Sequence, residues 1–186
     1  MGCNAGRNLQ QLRVVEPDIR LLGFDINATS IAEGVQKWNL PLEVADEAYL
    51  SRQASDAWDV LFTVSVLDHI PVIDGVLRDI ARVAKHYYVA VEPFPEEQLT
   101  YLDVFKREGK VRAAVTTATP YSYLHPYDRL VPAAGLVPRL DVPMPPYASN
   151  WGPLYRLTVY EKGVGPFTAW DQLRDELFFD AVRCAK

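Results

Sequence analysis

The chain has 186 residues, 49% of them hydrophobic, which is enough for one domain with a sizeable core. A formal net charge of −5 and a pI near 5.2 speak against a nucleic-acid partner, because neutralising phosphates needs clustered Lys and Arg. No apolar run is long enough to span a bilayer and no basic-then-apolar leader is seen. The two cysteines, Cys3 and Cys184, read as reduced thiols, so a cytoplasmic protein is expected.

The first element is a glycine-spaced turn running into a helix, Gly2-Cys3-Asn4-Ala5-Gly6-Arg7-Asn8-Leu9. Gly2 and Gly6 can take backbone angles closed to other residues, and Asn4 tolerates them. The turn offers free N–H groups to a ligand above the helix start. The helix should carry Leu9, Leu12 and Val15 inward and end at Glu16-Pro17-Asp18. Leu21 to Ile26 reads as a strand, which puts Asp25 at the carboxyl edge of a sheet, where open α/β sheets bind ligands and a carboxylate can accept from a ribose. A dinucleotide fingerprint wants G-x-G-x-x-G, but Asn4 stands at the middle glycine and Arg7 follows, so hydride transfer is disfavoured.

Alternation continues through about residue 92: helix from Ser30 to Trp38, strand Leu42 to Ala45 closed by Asp46, short helix from Glu47 to Gln53, and a strand from Trp58 with the exit Ser65-Val66-Leu67-Asp68-His69-Ile70. A helix from Val72 to Ala84, with Ile73, Val76, Leu77 and Ile80 inward, and a strand from His86 to Glu92 complete the unit. Such alternation predicts an α/β fold, a Rossmann-like mostly parallel sheet with helices on both faces.

After Pro93-Phe94-Pro95 a helix is predicted from Glu96 to Glu108, capped by Gly109, and Lys106, Arg107, Lys110 and Arg112 read as a solvated basic end. Tyr121 to Leu124 and His125 to Leu130 lead into a short helix ending at Gly135. Val137 to Val142 and Leu154 to Glu161 are then predicted as a C-terminal antiparallel strand pair. Residues 1–162 form the expected domain, and residues 163–186 an amphipathic helix with Trp170, Leu173, Leu177 and Phe178 on one face. That face needs cover, by the same sheet or through a homodimer or partner chain.

The ordered set of turn, Asp25, Asp46 and strand exit resembles the class I S-adenosylmethionine-dependent methyltransferases, whose first motif has the form G-x-G-x-G, here G-C-N-A-G. Among them the small-molecule enzymes of surface-sugar and secondary-metabolite pathways are the most similar, including methylases associated with pseudaminic acid biosynthesis. The resemblance implies S-adenosyl-L-methionine as cofactor, bound by Gly2, Cys3, Asn4, Gly6 and Asn8, with Asp25 on the ribose, Ile26 on the adenine face and Asp46 at the adenine amino group. Thr63, Val64 and Ser65 would line its methionine end. The family's strand before the glycine turn is not present in a sequence opening at Met1, so its neighbours in the sheet are expected to be left with unpaired ladder groups.

For the chemistry, His69 is the first expected base, with Glu92 and His125 next. Tyr121, Tyr123, Tyr127 and Arg129 could stack on and hydrogen-bond a small acceptor such as a sugar, nucleotide-sugar or secondary metabolite. Three histidines without a close His or Cys partner make no zinc set, and Asp68 alone makes no magnesium cage. The competing expectation is a non-catalytic methyltransferase-like partner subunit or pseudoenzyme.

Overall fold

The computed structural model describes residues 1–93, 106–107, 110–111, 114–115, 123–144 and 155–163. Helix and strand alternate as α1 (Arg7–Val15), β1 (Gly23–Asp25), α2 (Ala28–Trp38), β2 (Leu42–Val44), α3 (Ala48–Ser51) and β3 (Trp58–Val64). A single 3-10 turn (Leu67–His69), α4 (Asp74–Val83) and β4 (Ala84–Pro93) follow. Lys106–Arg107 (β5) pairs with Lys110–Val111 (β6), and Ala114–Val115 (β7) with Tyr123–Leu124 (β8). Then come α5 (Tyr127–Ala133), β9 (Leu136–Pro143) and β10 (Tyr155–Lys162).

Local chemistry sets several boundaries. The Asn27 side chain accepts the Ser30 N–H at 3.1 Å, an N-cap that starts α2 two residues before the expected Ser30. Asn39 closes the same helix in the left-handed region, at φ 49°. On α4, Val76, Leu77, Ile80, Ala81 and Val83 are buried, and with Ile73 they meet Leu61, Leu67 and Tyr88 in the main core.

β1 and β2 form a parallel pair with Phe24 opposite Glu43. β3 runs parallel to β4, and β10 lies antiparallel between β4 and β9, giving the order β3-β4-β10-β9. A parallel unit finished by an antiparallel pair is the architecture predicted from the sequence.

Two expectations change. Only Leu9 of α1 is buried, while Leu12 and Val15 are 39% and 82% exposed. Leu12 borders a cavity between β1 and β3, so α1 has nothing solid to pack against along that side. Lys106–Arg107 is extended against Lys110–Val111, so the helix expected to run to Glu108 does not include it. The remainder of that helix and the 163–186 helix with its Trp170, Leu173, Leu177 and Phe178 face fall outside the described residues, apart from Gly163. Among the described residues no helix is long and apolar enough to cross a membrane.

Candidate active site

The glycine turn, the ends of β1 and β2 and the exit of β3 carry the candidate groups. Gly2, Asn4 and Gly6 all have positive φ, at 63°, 50° and 80°, so the turn depends on the residue types found there. A Cβ on Gly2 would overlap the Val66 side chain, which means the turn lies directly against the β3 exit. Gly6 N–H donates to the Cys3 carbonyl at 2.8 Å, closing the turn, and Gly6 carbonyl accepts the Gln10 N–H at 2.9 Å, starting α1. The first-turn amides of α1, on Arg7, Asn8 and Leu9, have no partner within the helix. Cys3 is half-buried, and burial pushes its thiol up to about 11, so it serves as a packing group at neutral pH.

Asp25 ends β1 with its two oxygens divided. Oδ2 accepts the Asn4 N–H at 2.7 Å and Oδ1 the Asn27 N–H at 2.9 Å, so one carboxylate ties the turn to the start of α2. Each oxygen keeps a lone pair for a further donor. Ile26 stands 75% exposed beside it, an apolar surface open to a flat ligand. Asp46 is exposed at the end of β2, where Oδ1 accepts the Ala48 N–H at 3.1 Å and caps α3.

At the exit of β3, Val64 is partly exposed and Ser65 has φ 51°, a left-handed conformation uncommon for serine. The Ser65 hydroxyl lies 3.3 Å from both Asp68 oxygens and 2.9 Å from the Tyr155 hydroxyl, which arrives from β10. Asp68 is buried and its carboxyl is pushed upward by that burial. His69 is exposed, with Nε2 3.7 Å from Asp68 Oδ2. Among the three expected bases it is the one that solvent and an acceptor can reach.

Glu92 and His125 are turned to the protein instead. Glu92 is 1% exposed and its carboxylate accepts the Val66 N–H at 3.1 Å. Burial raises it to about 7. His125 is 2% exposed, and Nε2 donates to the carbonyls of Leu67 and Ile70 at 3.0 and 2.9 Å. Burial lowers this imidazole to about 4, so it is neutral and holds the 3-10 turn. The base expected at His125 is therefore a structural donor.

The other expected contacts face inward, lie apart or fall outside the described residues. Thr63 is fully buried and shares a 2.8 Å hydrogen bond with the Tyr88 hydroxyl, beneath the exit, so it supports the cofactor side without reaching it. Tyr127 is 1% exposed, packed edge-on against His125. Tyr123 is half-buried beside His125, Arg129 is exposed on α5, and Tyr121 lies outside the described residues.

Sequence patterns did not single out Tyr155 or Gly34. A Cβ on Gly34 would overlap the Ala5 carbonyl oxygen, so α2 can lie against the turn only as glycine. The available signal was a glycine within an amphipathic helix, which costs helix stability and asks for a packing reason.

Known proteins share this fold. The methyltransferase-domain family matches residues 1–87. A S-adenosylmethionine-dependent methyltransferase of Methanosarcina mazei superposes with a TM-score of 0.64 at 16% identity, covering 88% of this chain and 91% of that one. The O-methyltransferase of a trans-AT polyketide synthase multienzyme of Brevibacillus brevis, in complex with S-adenosyl-L-homocysteine, gives 0.65 at 15% identity over 88% of this chain and 65% of that one. The Haloferax volcanii complex of the Trm112 methyltransferase activator with its methyltransferase partner gives 0.64 at 15% identity, over 89% and 81%. No curated protein matches the chain significantly in sequence. The fold is the α/β fold seen in these methyltransferases. Residues 1–87, under half of the chain, carry the sequence match to the methyltransferase domain, and the likeness to the solved structures is one of fold.

The residues fit the S-adenosylmethionine that the sequence resemblance implies. The turn is built from positions that a Cβ would obstruct, helix N–H groups open above it, and a carboxylate with spare lone pairs follows at Asp25.

Proposed function

We propose that this protein transfers the methyl group of S-adenosylmethionine to a small-molecule acceptor, a sugar, nucleotide-sugar or secondary metabolite. The observation that carries the reading is the convergence, at the carboxyl ends of β1 and β3, of the glycine turn, Asp25 and the Ser65-Asp68-Tyr155 cluster. The bound cofactor supplies a methyl group already activated on a sulfonium.

The protein's own groups then have to orient and exclude water. The Gly2–Gly6 turn and the Asn8 amide would hold the cofactor, with Asp25 accepting from its ribose and Ile26 and Asp46 flanking its adenine. Val64 and Ser65 border its methionine end. Glu92 and His125 fix the β3 exit through Val66 N–H and the Leu67 and Ile70 carbonyls, which holds His69 at the rim. His69 takes the acceptor's proton, with Tyr123 and Arg129 toward the acceptor. The protein works as a cytoplasmic enzyme on this reading.

Calorimetry with S-adenosylhomocysteine tests the cofactor site, and transfer of a labelled methyl group to pools of sugars and small hydroxylated acceptors tests the reaction. Binding without transfer to any acceptor would favour the second reading, a non-catalytic methyltransferase-like subunit of a larger assembly. The Haloferax volcanii neighbour, found with an activator chain, motivates that alternative.

A further inference from the structure

A chain of three polar groups crosses the exit of β3. Tyr155 is the first residue of β10 and pairs with Pro93, so it stands at the carboxyl end of β4. Its hydroxyl lies 2.9 Å from Ser65 Oγ, and Ser65 Oγ lies 3.3 Å from both Asp68 oxygens. Ser65 is anchored from behind as well, because its N–H donates to the Val91 carbonyl at 2.8 Å.

Chemistry sets the direction of this chain. An ionised carboxylate only accepts, so Ser65 gives its single hydrogen to Asp68 and accepts that of Tyr155. Burial raises the Asp68 carboxyl, while the neighbouring His69 and the Ser65 hydroxyl oppose that rise. Burial also raises the Tyr155 phenol, which keeps it a neutral donor. With its hydrogen committed to Ser65, the half-buried Tyr155 has lone pairs and no hydrogen to offer a ligand at this edge. That ligand also lies near a carboxylate that is 4% exposed, where charge acts through little water.

An amine answers both conditions. A primary amine brings two hydrogens, one for Tyr155 Oη to accept and one for His69 to remove. A hydroxyl has a single hydrogen, which His69 takes, and a carbon nucleophile has no good donor. As the amine lone pair forms its bond to the methyl carbon, the carbon–sulfur pair returns to sulfur and the nitrogen becomes positive until its proton passes to His69. A fixed negative group nearby favours that developing charge.

We propose that the methyl acceptor is an amine nitrogen, bound by Tyr155 Oη with Asp68 as its counter-charge. The inference rests on the proposed methyl transfer and narrows its acceptor to an amine-bearing small molecule. Tyr155 touches the acceptor, and Ser65 and Asp68 position the Tyr155 hydroxyl.

Sinefungin tests this without an acceptor. It is a cofactor analogue with an amine on carbon in place of the methyl on sulfur, so its ammonium lies where methyl and acceptor nitrogen meet. Calorimetry compares it with S-adenosylhomocysteine, which has neither methyl nor ammonium there, on the parent protein, Tyr155→Phe and Asp68→Asn. The parent should bind sinefungin at least tenfold more tightly than S-adenosylhomocysteine, the size of one hydrogen bond to a charged group. Both variants should lose most of that preference while S-adenosylhomocysteine affinity is retained. A parent without the preference would overturn the proposal, as would an equal preference in parent and variants. Equal loss of both ligands in Tyr155→Phe would also overturn it, by making Tyr155 a support of the β3 exit alone. Tyr155→Phe removes one oxygen and keeps the ring, so it decides the matter even where Asp68→Asn does not fold. If the parent binds neither ligand, the cofactor reading itself fails and this inference with it.

Discussion

Asp25 shows how one side chain can serve shape and binding together. Its oxygens hold Asn4 and Asn27 in place, so removing it loosens the turn and takes away the proposed ribose acceptor. Hydrogen bonds to a charged group contribute about 1.5–3 kcal/mol, so Asp25→Ala should weaken S-adenosylhomocysteine binding at least tenfold by calorimetry. Unchanged affinity in a folded variant would reject this placement. Glu92 gives a pH signature instead. Unfolded, it ionises near 4.5; folded, burial holds it protonated to about 7. Across that interval the unfolded chain has fewer protons than the folded one, so this group's contribution is complete below pH 4.5, declines as pH rises and is level above 7. Glu92→Gln lacks this decline. Melting curves of both proteins from acid to neutral pH should show the variant gaining on the parent as pH rises, and parallel curves would assign the titration elsewhere. His69→Ala tests the proton acceptor: turnover should fall about a hundredfold or more with cofactor affinity retained.

At the scale of elements, the contact between α2 and the glycine turn is set by Gly34. Gly→Ala within a helix normally stabilises by roughly 0.5–1 kcal/mol. Gly75, in the first turn of α4, has open space around it, and Gly75→Ala should raise the melting temperature. Gly34→Ala should lower it and weaken S-adenosylhomocysteine binding, because the new methyl would push α2 off Ala5. A stabilised Gly34→Ala protein that binds normally would show that the two elements are not locked together. Much of the element order was legible because each helix and strand writes its own period: the apolar positions of α4 mark one face, and β3 and β4 carry largely apolar runs. The strand-end positions of Asp25 and Asp46 were legible for the same reason. Contacts made by distant residues were not. The donor role of His125 depends on carbonyls 58 and 55 positions away, and Tyr155 meets Ser65 across 90 residues, which no local spacing records. Leu12 turns outward beside the cavity next to β1, where helical periodicity takes a packed neighbour for granted.

For the whole molecule, the two parts of the sheet differ in how firmly they are held. β3, β4, β10 and β9 are long strands paired in one ladder, and Lys162 fastens the end of β10 to the Asp56 carboxylate and to the carbonyls of Arg82 and Ala84, at 2.6, 3.0 and 3.0 Å. β1 and β2 are three residues each, joined to the larger sheet through Met1–Cys3 and the packing of Phe24 and Leu50. Local opening should therefore separate β1 and β2 at a lower free energy than global unfolding. Amide exchange should be slowest in β4 and β10 and faster in β1 and β2. A cofactor held by the turn, Asp25 and the β3 exit touches both parts, so it stabilises the closed arrangement by mass action, about 2.7 kcal/mol at a hundredfold excess over Kd. S-adenosylhomocysteine should then slow exchange most strongly in residues 23–25 and 42–44, approaching a hundredfold, while β4 and β10 change less. Equal protection of all strands without ligand, or a ligand effect confined to β4 and β10, would mean that the sheet opens as one unit and that the cofactor does not bridge its two parts.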